Sequence, residues 1–380
     1  MQENKRITVV DCIRGFAVVG IILIHFLEHL NFYSFPDPTP FEQGLWDTTF
    51  YLGASKMYAI FALLFGLSCF IQHDNRARHG EDFRLRFAWR MLLLFGWGLL
   101  DLVFFNGDIL CTYAVMGLLL IPLVKASNKV VLLVAALLFL QPIEVGYIIA
   151  GLINPETQPM DLGLGRYWGI AYDACRDGGF WDVAKANLTC GLQINFGWAI
   201  EHGRLTQTLM LFVIGMWLGR EHKFDWNEQN NRFWKHVAMI ALCVAFPVMQ
   251  LLVSFVPFKE MPTVIGQGLE TQFTAWRNFA MMMFYVAVLY LLYNNTRARK
   301  GLQHLEYIGK MSLTDYLLQS AVGGFLFYKW GLELHLVASH GISFLMGIAF
   351  CICLYFFCRW WMTHHRRGPL EELWKRATEI

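Results

Sequence analysis

Long apolar runs, broken at intervals by short clusters of charge, dominate the chain. Ten runs are read: 9–31, 54–72, 86–105, 109–124, 130–152, 204–220, 234–256, 275–293, 311–330 and 340–361. Most have about 18–23 residues, the length an α-helix needs to cross about 30 Å of hydrocarbon. A segment in lipid must satisfy its own backbone hydrogen bonds, which predicts helix throughout. The expected fold is therefore all-α: a polytopic bundle of about ten transmembrane helices, with residues 1–380 forming one integral-membrane domain.

Composition supports that pattern. Of 380 residues, 56% are hydrophobic and only 16% charged, against about 25% charged in soluble domains. The 14 Trp suit headgroup belts. The first run is interrupted by Asp11 and Arg14 and lacks a small-x-small cleavage site, so it reads as a retained span. Charge then orients the helices. Lys5 and Arg6, Arg76 to Arg90, Lys125 and Lys129, Arg220 to Lys235, Arg297 to Lys310, and Arg366 to Arg376 fall at both termini and in every second connection. The alternate connections are acidic or mixed, with Asp37, Glu42 and Asp47 after the first run. The positive-inside rule places both termini in the cytoplasm, and a bacterial inner membrane is the expected location.

The one large connection, 153–203, is then an extracytoplasmic loop or lid, with "FWDVAKANL" as a short interfacial helix. Cys175 and Cys190 lie within it. In an oxidising compartment they pair as a disulfide; as buried residues of a lid they are two free thiols. Residues 362–380, with "GPLEELWKRA", read as an amphipathic cytoplasmic helix with Pro at its first turn.

Ionisable side chains inside a span are costly and usually face a cavity or one another. The first run holds an ordered set. Asp11 and Arg14 are i,i+3 neighbours, and His25 follows Arg14 by eleven residues, about three turns and about 16 Å. Glu28 and His29 extend the stripe. His25-x-x-Glu28-His29 also has the letters of an inverted zinc-peptidase motif. Zinc needs a third protein ligand, and Asp101, Asp108, Glu144 and Glu201 are scattered. No metal is expected, and a zinc hydrolase stands as the weakest reading.

"DCIRGFAVVGIILIH" (11–25), "FALLFGLSCF" (61–70), "RMLLLFGWGLLDLVFFNGDILCTYAVMGLLL" (90–120), "IGKMSLTDYLLQS" (308–320) and "RRGPLEELWKRA" (366–377) occur in order. Together they closely resemble the YeiB-like family of bacterial inner-membrane proteins. That family is similar to membrane-embedded acyltransferases, including heparan glucosaminide acetyltransferase and bacterial O-acetyltransferases. The latter carry an arginine, ten residues, then a histidine on their first span, a spacing that Arg14 and His25 reproduce.

The resemblance implies transfer of an acyl group, acetyl above all, from cytosolic acyl-CoA to an extracytoplasmic glycan or lipid acceptor. His25 is then general base or acyl carrier, oriented by Glu28 or Asp101. Arg76, Arg78, Arg84, Arg86 and Arg90 form a basic mouth for CoA phosphates, and Arg14 clamps a phosphate or the thioester. Asp11, His29, Asp108, Tyr113, Thr314, Asp315, Gln319 and Ser320 complete the expected binding set. Asp108 also reads as a helix N-cap, and Asp315 with Gln319 as interhelical glue. The expected partners are the bilayer, acyl-CoA, the acceptor and a second copy of the chain, with no nucleic acid. A transporter using the same stripe as a polar path is the alternative, although no inverted repeat accompanies it.

Overall fold

The computed structural model describes residues 7–31 and 38–379; Lys5, Arg6 and Asp37, used above for orientation, lie outside them. Among the described residues there are helices and no strands. In order they are α1 (Thr8–Asn31), α2 (Pro40–Gly53), α3 (Met57–Ala77), α4 (Arg84–Leu102), α5 (Leu110–Leu118) and α6 (Asn128–Phe139). Next come α7 (Pro142–Ile153), α8 (Leu164–Asp177), α9 (Phe180–Glu201), α10 (Arg204–Arg220), α11 (Glu228–Ile240) and α12 (Phe246–Phe255). The last are α13 (Thr263–Tyr293), α14 (Thr296–Leu302), α15 (Leu305–Lys310), α16 (Ser312–Phe327), α17 (His340–His364) and α18 (Pro369–Thr378). The protein is a polytopic helical membrane bundle.

Among the described residues, five segments are long and apolar enough to cross a membrane: Thr8–His29, Pro40–Ala77, Glu228–Phe255, Thr263–Tyr293 and His340–His364. A sixth is the pair α6 and α7, bent by 48°. The other runs, 86–105, 109–124, 204–220 and 311–330, contain helices of 19, 9, 17 and 16 residues. Run 109–124, for example, is the nine residues of α5 followed by a 3₁₀ turn at Ile121–Leu123, where Pro122 has no N–H to continue the ladder.

The α6–α7 bend has a local cause. Pro142 opens α7 and disfavours right-handed helix at the residue before it; Gln141 there takes the left-handed conformation at φ 56°. The carbonyls left open at the end of α6 are met by side chains of α13. Gln272 donates to Leu140 O at 2.6 Å and Trp276 Nε1 to Phe139 O at 2.7 Å. A broken helix survives in an apolar bundle because its neighbours satisfy the freed backbone groups.

α1 is the axis of the bundle, packed by α2, α3, α13, α15, α16 and α17. Its apolar window is 67% buried, whereas those of Glu228–Phe255 and His340–His364 are 6% and 22% buried and form the periphery. α15 approaches α1 by backbone contact. A Cβ on Gly309 would stand 1.8 Å from Asp11 O, and one on Gly15 2.0 Å from Leu305 O. Two facing glycines let the helices touch at a distance no side chain permits. One end of the bundle gathers Arg14, Arg90, Lys310 and Arg367 and is called the basic end below.

Two regions differ from the sequence reading. The segment taken as a connection after the first run contains α2, fourteen residues long, begun by a capping box in which Thr39 and Glu42 bond each other's backbone N–H. The 153–203 segment holds a two-helix hairpin, α8 and α9, rather than one short helix. Cys175 and Cys190 lie in different apolar clusters. Burial pushes the Cys175 thiol up to about 12, which keeps it protonated and poorly nucleophilic at neutral pH.

Candidate active site

The site is built in two halves along α1. At the basic end, α1, α3, α4, α5, α16 and α18 enclose a cavity of about 290 Å³. Arg14 lines it, held by Asp11 Oδ1 at 3.0 Å, Ser68 Oγ at 3.3 Å and Gly309 O at 3.4 Å. Arg90, Lys310, Arg367 and Lys375 also line it. The arginines before α4 are placed differently from the expected mouth. Arg76 pairs with Glu81, Arg78 with Asp74 and Arg84 with Asp82, and neither Arg84 nor Arg86 lines the cavity. Arg84 holds the exposed Asp82 carboxyl well below its usual range. Arg76, Arg78 and Arg84 are thus paired with acids two to five residues away, and only Arg90 of that group lines the cavity.

The C-terminal helix roofs the cavity. Trp374 lies 3.7 Å from the Arg90 guanidinium, a cation–π stack, and Trp89 Nε1 donates to Ala377 O at 2.8 Å. Glu371 accepts from Leu313 N at 2.7 Å, Thr314 N at 3.1 Å and Thr314 Oγ1 at 2.6 Å. A carboxylate of α18 thus occupies the amino end of α16, where unpaired N–H groups and the helix dipole favour an anion. Arg376 of α18 and Arg367 just before it hold the Glu372 carboxyl below its usual range. Its contribution to the folded helix is present above its unfolded pKa and fades as pH falls through the depressed one. Replacing Glu371 by Ala leaves two buried N–H groups unmet. Cleavage of the C-terminal helix in limited proteolysis should then rise about tenfold, equivalent to about 1.4 kcal/mol of lost docking; cleavage at the wild-type rate would refute this role.

The cavity ends at Tyr113 and Tyr316. Tyr113 Oη donates to Tyr58 O at 2.7 Å, and Tyr316 Oη accepts from Ile109 N at 3.2 Å. His25 lies beyond that aromatic wall, its ring centroid 6.0 Å from Tyr316 and 4.9 Å from Phe105. His25 Nε2 is 3.9 Å from Glu28 Oε2, and its Nδ1 has no hydrogen-bond partner among the described residues. The stripe read along α1 thus has Arg14 in the cavity and His25 behind its far wall, with Tyr316 between them. Tyr316 was not singled out from the sequence. Its signal is the i,i+4 face it shares with Ser312 and Ser320 on α16.

The other expected residues divide. His29 is buried, with Nδ1 3.1 Å from Tyr328 Oη and its ring, like that of His25, against Phe105 at 4.5 Å. Among the described residues no three His, Cys, Asp or Glu side chains gather as a metal would require. Asp101 is fully buried beside Asp108 and Ser320, and no hydrogen bond joins it to His25 among the described residues. Asp108 caps α5, accepting from Leu110 N and Cys111 N, both at 2.9 Å. Asp315 faces away from the cavity and accepts from Cys358 Sγ on α17 at 3.3 Å. Gln319 is buried on the same helix. Thr314 serves the roof helix.

Two family models and three relatives match the chain. Residues 6–155 match the family model described as Heparan-alpha-glucosaminide N-acetyltransferase, catalytic. Residues 218–380 match Protein of unknown function (DUF418). "Uncharacterized protein YxaH" of Bacillus subtilis (strain 168) is 26% identical, aligned over 99% of this chain and 95% of its own. "Uncharacterized 39.9 kDa protein in amylase 3'region" of Bacillus acidopullulyticus is 24% identical over 99% and 94%. "Uncharacterized protein YeiB" of Escherichia coli (strain K12) is 24% identical over 98% and 96%. The acetyltransferase match contains Arg14, His25, Arg90, Asp108 and Tyr113, and the DUF418 match contributes Lys310, Tyr316 and the roof helix. Over nearly its whole length the chain is similar to these YeiB-type proteins, and its N-terminal part is similar to the catalytic region of a membrane acetyltransferase.

Proposed function

We propose that the protein is a membrane-embedded acyltransferase that moves an acyl group, acetyl above all, from cytosolic acyl-CoA to a hydroxyl or amine acceptor on the other face. The observation that carries this reading is the placement of Arg14 in the basic cavity and of His25, on the same helix, against the cavity-lining Tyr316. A polyanionic donor suits a cavity lined by Arg14, Arg90, Lys310, Arg367 and Lys375. At about 290 Å³ it sits at the lower bound of small-molecule pockets, which run from ~300 Å³ upward. It therefore takes the pantetheine arm and nearby phosphates, leaving the nucleotide at the mouth.

His25 acts as general base in this scheme. It accepts the acceptor's proton as the acceptor oxygen or nitrogen bonds the acyl carbon. The carbon–sulfur bond then breaks, and the thiolate takes that proton back to leave as free CoA. Movement of the Tyr316 side chain opens the thioester to His25, and the surrounding Phe105 and Phe65 rings limit water. Glu28 biases the imidazole electrostatically, without a direct hydrogen bond at 3.9 Å.

Binding of acetyl-CoA to the purified full-length protein, followed by calorimetry, tests the donor. Arg14→Ala and Arg90→Ala should each weaken it at least tenfold, since a hydrogen bond to a charged group contributes about 1.5–3 kcal/mol. Wild-type affinity should also fall with salt. Absence of acetyl-CoA binding in the wild type would sink the reading.

A further inference from the structure

A second cluster of charge lies toward the far end of the bundle, outside the cavity. The long segment Pro40–Ala77 breaks between α2 and α3, where Ser55 takes a left-handed φ of 71°. Next to it α10 begins after Gly203, also left-handed at φ 64°. α3 and α10 run side by side from this point, with Tyr58 of one bonded to Gln207 of the other. The amino ends of two helices therefore open on the same place inside the bundle, and each carries partial positive charge.

Three cations gather there. Lys56 is 3% exposed, donates to Tyr51 O, and sits 5.3 Å from the Tyr51 ring. Arg204 donates to Ser55 Oγ at 2.5 Å and lies over Tyr58 at 4.5 Å and Trp198 at 5.0 Å. Arg277, near the middle of α13, is 5.6 Å from the same Tyr51 ring and 3.4 Å from Gln250 Oε1. Lys56 is within electrostatic reach of both arginines.

Among the described residues none of the three has a carboxylate at ion-pair distance; the acid nearest in effect is Glu28, which feels Arg204 without touching it. Held only by neutral oxygens and aromatic faces, three cations at membrane depth repel one another and carry a desolvation cost of several kcal/mol each. A fold stabilised for its own sake would not keep this arrangement. An anionic ligand removes both penalties.

We propose that Lys56, Arg204 and Arg277, with the amino ends of α3 and α10, form a binding site for a phosphate group. Phosphate carries up to two charges and several acceptor oxygens, which suits two guanidinium forks and an ammonium together. Tyr51, which two of the cations touch, is 40% exposed on the outer wall of the bundle, so the site is open to a lipid headgroup as well as to a soluble phosphate. Its position completes the proposed reaction. A phosphate on Arg204 would stand within electrostatic reach of Glu28, the neighbour of His25, where an acceptor hydroxyl or amine would be presented. Only that last point rests on the proposed function; the phosphate site stands without it.

The test uses full-length protein in detergent and in nanodiscs. Inorganic phosphate at matched ionic strength, and phosphatidylglycerol compared with phosphatidylcholine, are the probes; the thermal midpoint and native mass spectrometry are the readouts. One of the two phosphate sources should raise the midpoint saturably, and which one does so identifies where the group comes from. Lys56→Met, Arg204→Gln and Arg277→Gln should each raise the half-saturating concentration at least tenfold, and should raise the midpoint of the ligand-free protein by relieving repulsion. Exposed Arg232→Gln is the control and should change neither. The proposal fails if neither source shifts the midpoint beyond a chloride control, or if the variants lower the ligand-free midpoint while binding is unchanged. Acetyl-CoA binding at the basic end should persist in all three variants. Its absence from the wild type would overturn the acyltransferase reading and leave the phosphate site intact.

Discussion

Replacing His25 by alanine is expected to lower acyl transfer by about 10²–10⁴-fold, the usual contribution of a positioned general base, while acetyl-CoA binding stays within twofold. The two effects separate because the structure puts them in different compartments. His25 does not line the cavity that holds Arg14 and Arg90; it stands behind Tyr316, with 6.0 Å between ring centroids. Single-turnover transfer of radiolabelled acetyl from CoA, beside equilibrium binding of the same donor, measures both quantities. A parallel loss of binding and transfer would show that His25 shapes the donor site. Unchanged transfer would remove it from the mechanism. Tyr316→Phe keeps the wall and loses only the hydroxyl that accepts from Ile109 N, so it should cost far less than the loss of the imidazole.

The largest structural effect is expected at Gly309. Valine there places its Cβ 1.8 Å from Asp11 O and 2.8 Å from Gly15 N. Both are backbone atoms, so no rotamer change relieves the clash, and α15 must leave α1. Overpacking typically costs about 1–3 kcal/mol and occasionally more; a backbone collision belongs at the upper end. About 3 kcal/mol corresponds to a fall of roughly 6–12 °C in the unfolding midpoint. Displacement also removes the Gly309 carbonyl from Arg14, so donor affinity should fall with stability. Thermal unfolding in detergent reads the first effect and acetyl-CoA titration the second. A midpoint within a degree or two of the wild type would mean that the crossing is looser than this contact implies.

Class and stripe were legible without coordinates. Apolar runs of spanning length are dictated by bilayer thickness, and the Asp11–Arg14–His25 spacing follows from 3.6 residues per turn. Local capping signals were legible too, although unevenly used. Asp108 was read as a cap and caps α5, whereas Thr39-Pro40-Phe41-Glu42 is a capping box whose helix was passed over as a connection. The division within α16 was not legible. Thr314, Asp315 and Ser320 sit within two turns yet face the roof helix, α17 and Asp101 respectively. One helix presents several faces, and only its neighbours decide what each one does.

The basic end shows the same limit. Arg76, Arg78 and Arg84 stand out in the sequence because they cluster, yet each meets an acid two to five residues away. The cavity instead draws its cations from four separate segments: Arg14, Arg90, Lys310, and Arg367 with Lys375. Lys56, Arg204 and Arg277 are separated by up to 221 positions in the chain, and no linear motif joins them.

What the sequence alone determined is therefore what depends on one helix at a time: that the chain enters a membrane, where its long apolar segments run, and which face of α1 is polar. Hydrophobic length and helical periodicity are local quantities, written in consecutive residues. What only the tertiary structure decided is which of those polar faces meet. The Arg14 cavity, the tyrosine wall before His25 and the glycine crossing of α1 with α15 arise from helices brought together by packing, and a charge acquires its role from the partner that packing supplies or withholds.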